Sequence, residues 1–342
     1  MKKYQLTALI SMLCLTFAAN SSIELYNKEG HKISLKGRVK AMNYLTDQNN
    51  SNDGEGDKTK ARIGFDGHTK ITDSITGYGR AEWETKTSGT AVDTRYAYAG
   101  IRFSGFGAID YGRNDGIVKG VISYTDVLPE FGGDAGNVNR YLLSKRTSAV
   151  LTYRNHDFFG LVDNLRWTVQ YADNSSDTKV GNLKKGPEAY GMSLDYTIGD
   201  SGISLAGVYT QTANSNKFKT WATGIKYNAN DLYLGALYIS SKQNDSDIKY
   251  SGYEFVAQYG IKTELGQLTP SLAYIRHQDK SANVSHKNLS EYIELGATYD
   301  FNKNIKIIID YKFNLLDKED IGAKNIEANT KDVLALGIMY QF

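Results

Sequence analysis

The chain has 342 residues but only one cysteine, no marked excess of either charge, and no long apolar run beyond residue 22. A helical membrane bundle needs several runs of about 20 apolar residues, so the last absence excludes it. With 40 Lys+Arg against 38 Asp+Glu, the chain lacks the basic excess of a nucleic-acid binder. Disorder is excluded by what is abundant, since Tyr, Phe and Trp make up 12% of the residues. The 25 tyrosines and 33 glycines, with a negative mean hydropathy, give the composition of a Tyr-rich, Gly-rich all-β protein.

Met1-Lys2-Lys3 is a short basic region, followed by the apolar run from Leu6 to Ala19 and the polar Asn20-Ser21-Ser22. This is the layout of a secretory signal peptide over residues 1–21, with cleavage after Ser21, or after Ser22 as the neighbouring option. At about 14 residues the run is too short for a transmembrane anchor. Leu13 precedes Cys14 where a lipoprotein signal wants a small residue. Removal of residues 1–21 takes away Lys2, Lys3 and Cys14 and no acid, so the exported chain balances at 38 basic and 38 acidic residues. It has no thiol and no disulfide.

The rest of the chain alternates. Successive strand residues face opposite sides. Ala61, Ile63 and Phe65 share one face, with Lys60, Arg62, Asp66 and His68 on the other. Ile293, Leu295, Ala297, Tyr299 and Phe301 oppose Glu294, Thr298 and Asp300, and Leu334, Leu336, Ile338, Tyr340 and Phe342 form a last apolar face. Sixteen such segments begin near residues 33, 60, 75, 94, 108, 146, 165, 189, 203, 219, 232, 250, 267, 292, 305 and 333. Short connections such as Asn302-Lys303-Asn304 alternate with long polar ones at 47–57, 174–187, 242–249, 279–290 and 317–330. Antiparallel strands with short turns at one end, long loops at the other and aromatics near strand ends predict a 16-stranded transmembrane β-barrel over residues 22–342. A propeller would show a sequence period, and a sandwich would not explain the unequal loops.

Tyr124-Thr125-Asp126-Val127-Leu128-Pro129-Glu130-Phe131-Gly132-Gly133-Asp134 resembles the third-loop signature of the enterobacterial general diffusion porins. Colinear similarity runs from Ile23-Glu24-Leu25-Tyr26-Asn27-Lys28 through Ile109-Asp110-Tyr111-Gly112-Arg113-Asn114 and Phe158-Phe159-Gly160-Leu161-Val162-Asp163 to Tyr340-Gln341-Phe342. The resemblance implies an all-β, 16-stranded antiparallel barrel in the outer membrane of a Gram-negative bacterium. Its third extracellular loop, about residues 115–145, folds inward and narrows a water-filled pore. It also implies a homotrimer, passive diffusion of small hydrophilic solutes and ions, contact with outer-membrane lipid and lipopolysaccharide, and no nucleic-acid partner. Tyr340 and Phe342 resemble the assembly signal read by the outer-membrane insertion machinery.

Carried over residue by residue, the resemblance places loop acids at Asp126, Glu130 and Asp134, opposed by wall bases at Arg62, Arg95 and Arg146, with Arg38 where the family commonly has lysine. The alternation is an independent guide. Arg38 is out of phase with Leu35 and Val39, Arg62 with Ala61 and Ile63, Arg95 with Tyr96 and Tyr98, and Arg146 with Ala149, Leu151 and Tyr153, so all four are expected on the polar face. Lys60 and Lys119 stand where the family often has tyrosines near the constriction, and Asp115 replaces another. With both lysines in the throat, the chain is expected to prefer cations less than its relatives do. The second loop, residues 87–93, is short, which limits the latch that it forms on a neighbouring subunit in the family.

Other chemistry finds no support. His31, His68, His156, His277 and His286 lack metal-ligand spacing. There is no Gly-x-Ser-x-Gly elbow and no phosphate-cradling loop. The stretch 49–57 resembles a calcium loop only around Asp53-Gly54, with Asn49 and Lys60 where acids are needed. Glu82 and Glu84, beside Arg80, read as a wall ion network. No catalytic residue, metal or cofactor is expected. The alternative function is a substrate-selective channel of the same barrel type, but the inward aromatics Tyr44, Tyr78 and Tyr233 are too dispersed to form a slide.

Overall fold

Residues that alternate between apolar and polar must form a sheet with two unlike solvents. A computed structural model of the protein describes residues 22–47, 53–173, 186–214, 217–244, 246–282, 287–316 and 330–342. The expected signal peptide and His286 lie outside the described residues, as does part of each long connection. The strands are β1 (Ile23–Lys28), β2 (His31–Leu45), β3 (Gly56–Asp57), β4 (Lys60–Lys70), β5 (Ile75–Lys86), β6 (Val92–Phe103), β7 (Gly107–Asp115), β8 (Arg146–Asn155), β9 (Leu165–Ala172) and β10 (Ala189–Thr197). They continue with β11 (Ile203–Thr212), β12 (Phe218–Ala229), β13 (Leu232–Gln243), β14 (Lys249–Tyr259), β15 (Ile261–Thr263), β16 (Gly266–Asp279), β17 (Lys287–Asp300), β18 (Ile305–Asn314) and β19 (Val333–Gln341).

Leaving aside the short β1, β3 and β15, sixteen strands form the wall, each antiparallel to the next, and β19 pairs with β2 to close the ring. Fifteen begin within two residues of the positions expected from alternation. The exception, β17, starts at Lys287 rather than near Tyr292, because its polar first residues continue the ladder to Gln278 and Asp279 past a bulge. Connections at one end are brief, such as residues 71–74, 104–106 and 230–231, while the other end carries 116–145 and the long loops. Outer and inner faces are sharply unlike: Leu295 is 53% exposed and its neighbour Glu294 is 0% exposed. Leu205, Phe255, Leu272, Ile309 and Ile338 likewise stand on the outer face, as an apolar band facing lipid requires. No helix among the described residues is long and apolar enough to cross a membrane.

The barrel's seam lies on β2. Its first half pairs with β1 from Leu35, and its second half pairs with β19 from Arg38 to Leu45. Between them Gly37 and Phe342 exchange two backbone hydrogen bonds, each 2.9 Å. The Phe342 ring occupies the space where a side chain at position 37 would stand, 2.3 Å from an ideal Cβ, so the aromatic ring covers the glycine across the strand pair. Phe342→Ala uncovers this seam, and the expected result is a marked loss of the heat-modifiable folded band in gel assays. Normal folding yield would show that the ring contributes nothing there.

Candidate functional site

Residues 116–145, between β7 and β8, open with a short helix, α1 (Lys119–Ile122), and pack along inward-facing side chains of the wall. Backbone N–H groups of this loop find wall acceptors. Ile117 N donates to Gln170 at 2.8 Å, Leu142 N to Thr220 Oγ1 at 3.0 Å, and Ala135 N to Glu254 at 2.8 Å. Glu130 N and Phe131 N both donate to Asp310 Oδ2, at 2.8 and 3.0 Å. Glu254 and Asp310 are fully buried, a costly place for carboxylates unless hydrogen-bonded. A hydrogen bond contributes about 1 kcal/mol, and leaving a buried acceptor unpaired costs about 1–3 kcal/mol, so the loop and the acids stabilise one another. Tyr124 adds two bonds: its hydroxyl donates to Asp195 at 2.7 Å, and its carbonyl accepts from Tyr233 at 2.7 Å.

Close approach of the loop depends on two wall glycines. An ideal Cβ on Gly235 would stand 2.2 Å from the Tyr124 carbonyl oxygen, and one on Gly252 would stand 2.3 Å from that of Ala135. Any side chain at either position would meet loop backbone.

The loop acids are all partnered. Asp126 lies 3.3 Å from Lys119 on the loop itself. Glu130 pairs with Lys40 of β2 and accepts the Tyr44 hydroxyl at 2.5 Å. Asp134 accepts from Tyr292 at 2.9 Å and lies 3.9 Å from Lys312 of β18. On the wall, Arg38 faces Arg62 across β2 and β4, and Arg62 pairs with Glu84 of β5. Arg95 reaches Glu82 at 2.7 Å and Glu84 at 3.3 Å, and Arg80 reaches Glu82 at 2.5 Å, giving the alternating network expected of these glutamates. Asp115 accepts the Tyr96 hydroxyl at 3.0 Å and lies 3.7 Å from Arg146, whose guanidinium stands 4.8 Å from the Tyr96 ring centre. Lys60 stands opposite Lys40 and Lys86. Among the described residues, Arg38 and Lys60 form no ion pair, so they are the least compensated charges of this region.

Two arguments from alternation need correction. Tyr96 and Tyr98 do not face lipid: Tyr96 is buried against Arg80 and Arg146, and Tyr98 contacts Tyr78 on the inner side. Arg95 is the extra residue of a β-bulge, because Glu82 pairs with Tyr96 but Trp83 pairs with Thr94. A bulge re-aims one side chain, so Arg95 joins Tyr96 on the inner side. In β8 the register shifts opposite Gly112 and Asn114, and Ala149 has φ 56°, so the phase of Leu151 and Tyr153 does not extend to Arg146.

Sequence reasoning missed Lys40, Lys312, Glu254 and Asp310. A signal existed: Lys40 is in phase with Arg38, and Asp310 and Lys312 are out of phase with the outward Ile307, Ile309 and Phe313. Tyr44, Tyr78 and Tyr233 do point inward, but each hydroxyl is engaged, by Glu130, Asp110 and the Tyr124 carbonyl, respectively. Asp53 and Asp57 have protein partners in Lys312 and in Thr59 and Thr87. No metal-binding cluster is found among the described residues.

This arrangement, a closed barrel whose inner face carries charge and a wall-anchored loop, has close counterparts. The family model for Gram-negative porins matches residues 28–342. The outer membrane porin PhoE of Escherichia coli K12 is 38% identical over 366 aligned residues, covering all of both chains, and PhoE of Citrobacter freundii is 39% identical over 367 with the same coverage. Among solved structures, Salmonella typhi OmpF in complex with daunomycin superposes with a TM-score of 0.80 at 34% identity, covering 94% of this chain and 100% of that one. The chain belongs to the Gram-negative porin family: it is an outer-membrane channel for passive diffusion, and not an enzyme.

Proposed function

We propose that solutes pass through a throat bounded by loop 116–145 on one side and by Arg38, Lys60, Arg62, Arg95 and Arg146 on the other, with Asp115, Lys119, Asp126, Glu130 and Asp134 completing its charge pattern. The supporting observation is the set of hydrogen bonds that ties the loop backbone to Glu254 and Asp310 on the inner wall. Charges around an aqueous passage set ion preference, and low-dielectric walls concentrate their field. Small hydrophilic solutes and ions then move down their gradients without a conformational cycle. In this reading the active form is a homotrimer in contact with outer-membrane lipid and lipopolysaccharide, residues 1–21 direct export, and the insertion machinery reads Tyr340 and Phe342. The second loop, residues 87–91 between β5 and β6, is short and begins with Thr87 bonded to Asp57 and Thr59 of its own chain.

The ion pairs refine the selectivity. Lys119 pairs with Asp126 and Lys40 with Glu130, while Arg38 and Lys60 form no ion pair among the described residues. The throat therefore prefers cations weakly or prefers anions mildly. Reversal potentials across planar bilayers under a salt gradient test this. Lys60→Tyr with Lys119→Tyr is expected to move the channel towards cations, and an unchanged, strongly cation-selective channel would contradict the reading.

A further inference from the structure

Lys312 is a wall cation with two claimants. Its ammonium lies on the inner side of β18, with a side chain only 7% exposed, 4.3 Å from the Tyr292 ring centre and 5.7 Å from that of Phe131. Asp134 of loop 116–145 lies 3.9 Å away, but the nearer partner is Asp53, at 2.7 Å, from the first long connection between β2 and β4. That connection begins at the end of β2, two strands around the wall from β18. Asp53 bound to Lys312 therefore stands on the inner side of the wall rather than away from the barrel. Its carboxylate then sits beside the tip of loop 116–145, which Asp310 holds by the backbone one inward position along the same strand.

We infer that Asp53 is an ion-selectivity determinant of the channel, tethered by Lys312 at the pore mouth. The inference rests on the inner space of the barrel being the solute path. Asp53 has two effects there. It neutralises a cation that Asp134 alone would share with Tyr292, and its remaining exposure, 29% of the side chain, places a carboxylate where passing ions meet it. Long side chains on exposed loops carry charges that salt screens within about 3 Å at 1 M. A carboxylate held against a buried ammonium beside the passage is not screened in that way.

Reversal potentials of the purified channel in planar bilayers under a potassium chloride gradient test the assignment. Asp53→Asn is expected to raise the anion-to-cation permeability ratio about twofold, the scale of one unit charge acting through water at about 10 Å. Asp73→Asn, at a short turn where the side chain is 97% exposed, is expected to change nothing. In a Lys312→Gln background the tether is gone, so adding Asp53→Asn is expected to change the ratio far less than it does alone. Equal shifts in both backgrounds would overturn the tether. A wild-type ratio for Asp53→Asn, alongside a shifted ratio for Glu130→Gln, would overturn the placement of Asp53 at the mouth. If Glu130→Gln were also without effect, the fault would lie with the solute path itself. Heat-modifiable migration of each variant confirms that the barrels compared are folded.

Discussion

Gly235→Val is expected to push the first half of loop 116–145 off its seat and narrow the channel. An ideal Cβ at this position stands 2.2 Å from the Tyr124 carbonyl oxygen, so the loop must retreat by about 1 Å before an ordinary contact is reached. The same oxygen accepts the Tyr233 hydroxyl, and the Tyr124 hydroxyl is bound to Asp195, so retreat breaks both bonds. Overpacking of this kind costs about 1–3 kcal/mol, and each lost hydrogen bond about 1 kcal/mol more, while the strand ladders are untouched. The barrel therefore folds, and the first half of the loop stands further into the lumen, towards the arginine wall, while Asp310 and Glu254 still hold the rest. Uptake of solutes near the size limit, read by liposome swelling, is expected to fall several-fold, with smaller single-channel steps. Gly207→Val is the matched control, because a Cβ there meets nothing nearer than 4.0 Å. Wild-type swelling rates for Gly235→Val would mean that the loop's seat on the wall does not limit passage.

The second large effect concerns charge. Arg62 and Arg95 between them hold Glu84 and Glu82. Arg62→Gln with Arg95→Gln removes two cations and leaves Glu84 with no close guanidinium, whereas Glu82 keeps Arg80 at 2.5 Å. The wall loses two of its positive charges, with Arg38, Lys60 and Arg80 left against Glu82 and Glu84, and the channel is expected to shift clearly towards cations. Glu130→Gln acts in the opposite direction, since it releases Lys40 from its partner. One passage thus accounts for two opposite shifts from residues on opposite sides of it.

Much of this architecture was legible in the sequence because lipid and water impose a period of two on every wall strand. Strand starts, the polar face of Arg38 and Arg62, and the network around Glu82 and Glu84 follow from that period alone. The period is local, however, and fails wherever one residue is inserted. At Arg95 the bulge puts an arginine and the following tyrosine on the same side, so Tyr96 and Tyr98 read as lipid-facing when they line the interior. Partners across the lumen are another matter. Lys40 with Glu130, Lys312 with Asp53, and Asp310 with two loop amides join residues at least 90 positions apart. No spacing encodes these contacts, because they depend on how the ring closes and where the loop lies inside it. Tyrosine shows the same limit: composition counts 25, but only the structure separates those on the outer face, such as Tyr209 and Tyr340, from Tyr44 and Tyr292 bound to loop acids.

The central claim is that one water-filled passage runs between loop 116–145 and the arginine wall. Planar-bilayer reversal potentials of wild type, Glu130→Gln and the Arg62→Gln, Arg95→Gln pair test it most directly. Stepwise currents without any added ligand are predicted, with Glu130→Gln shifted towards anions and the arginine pair shifted further, towards cations. Identical reversal potentials for all three would contradict the account.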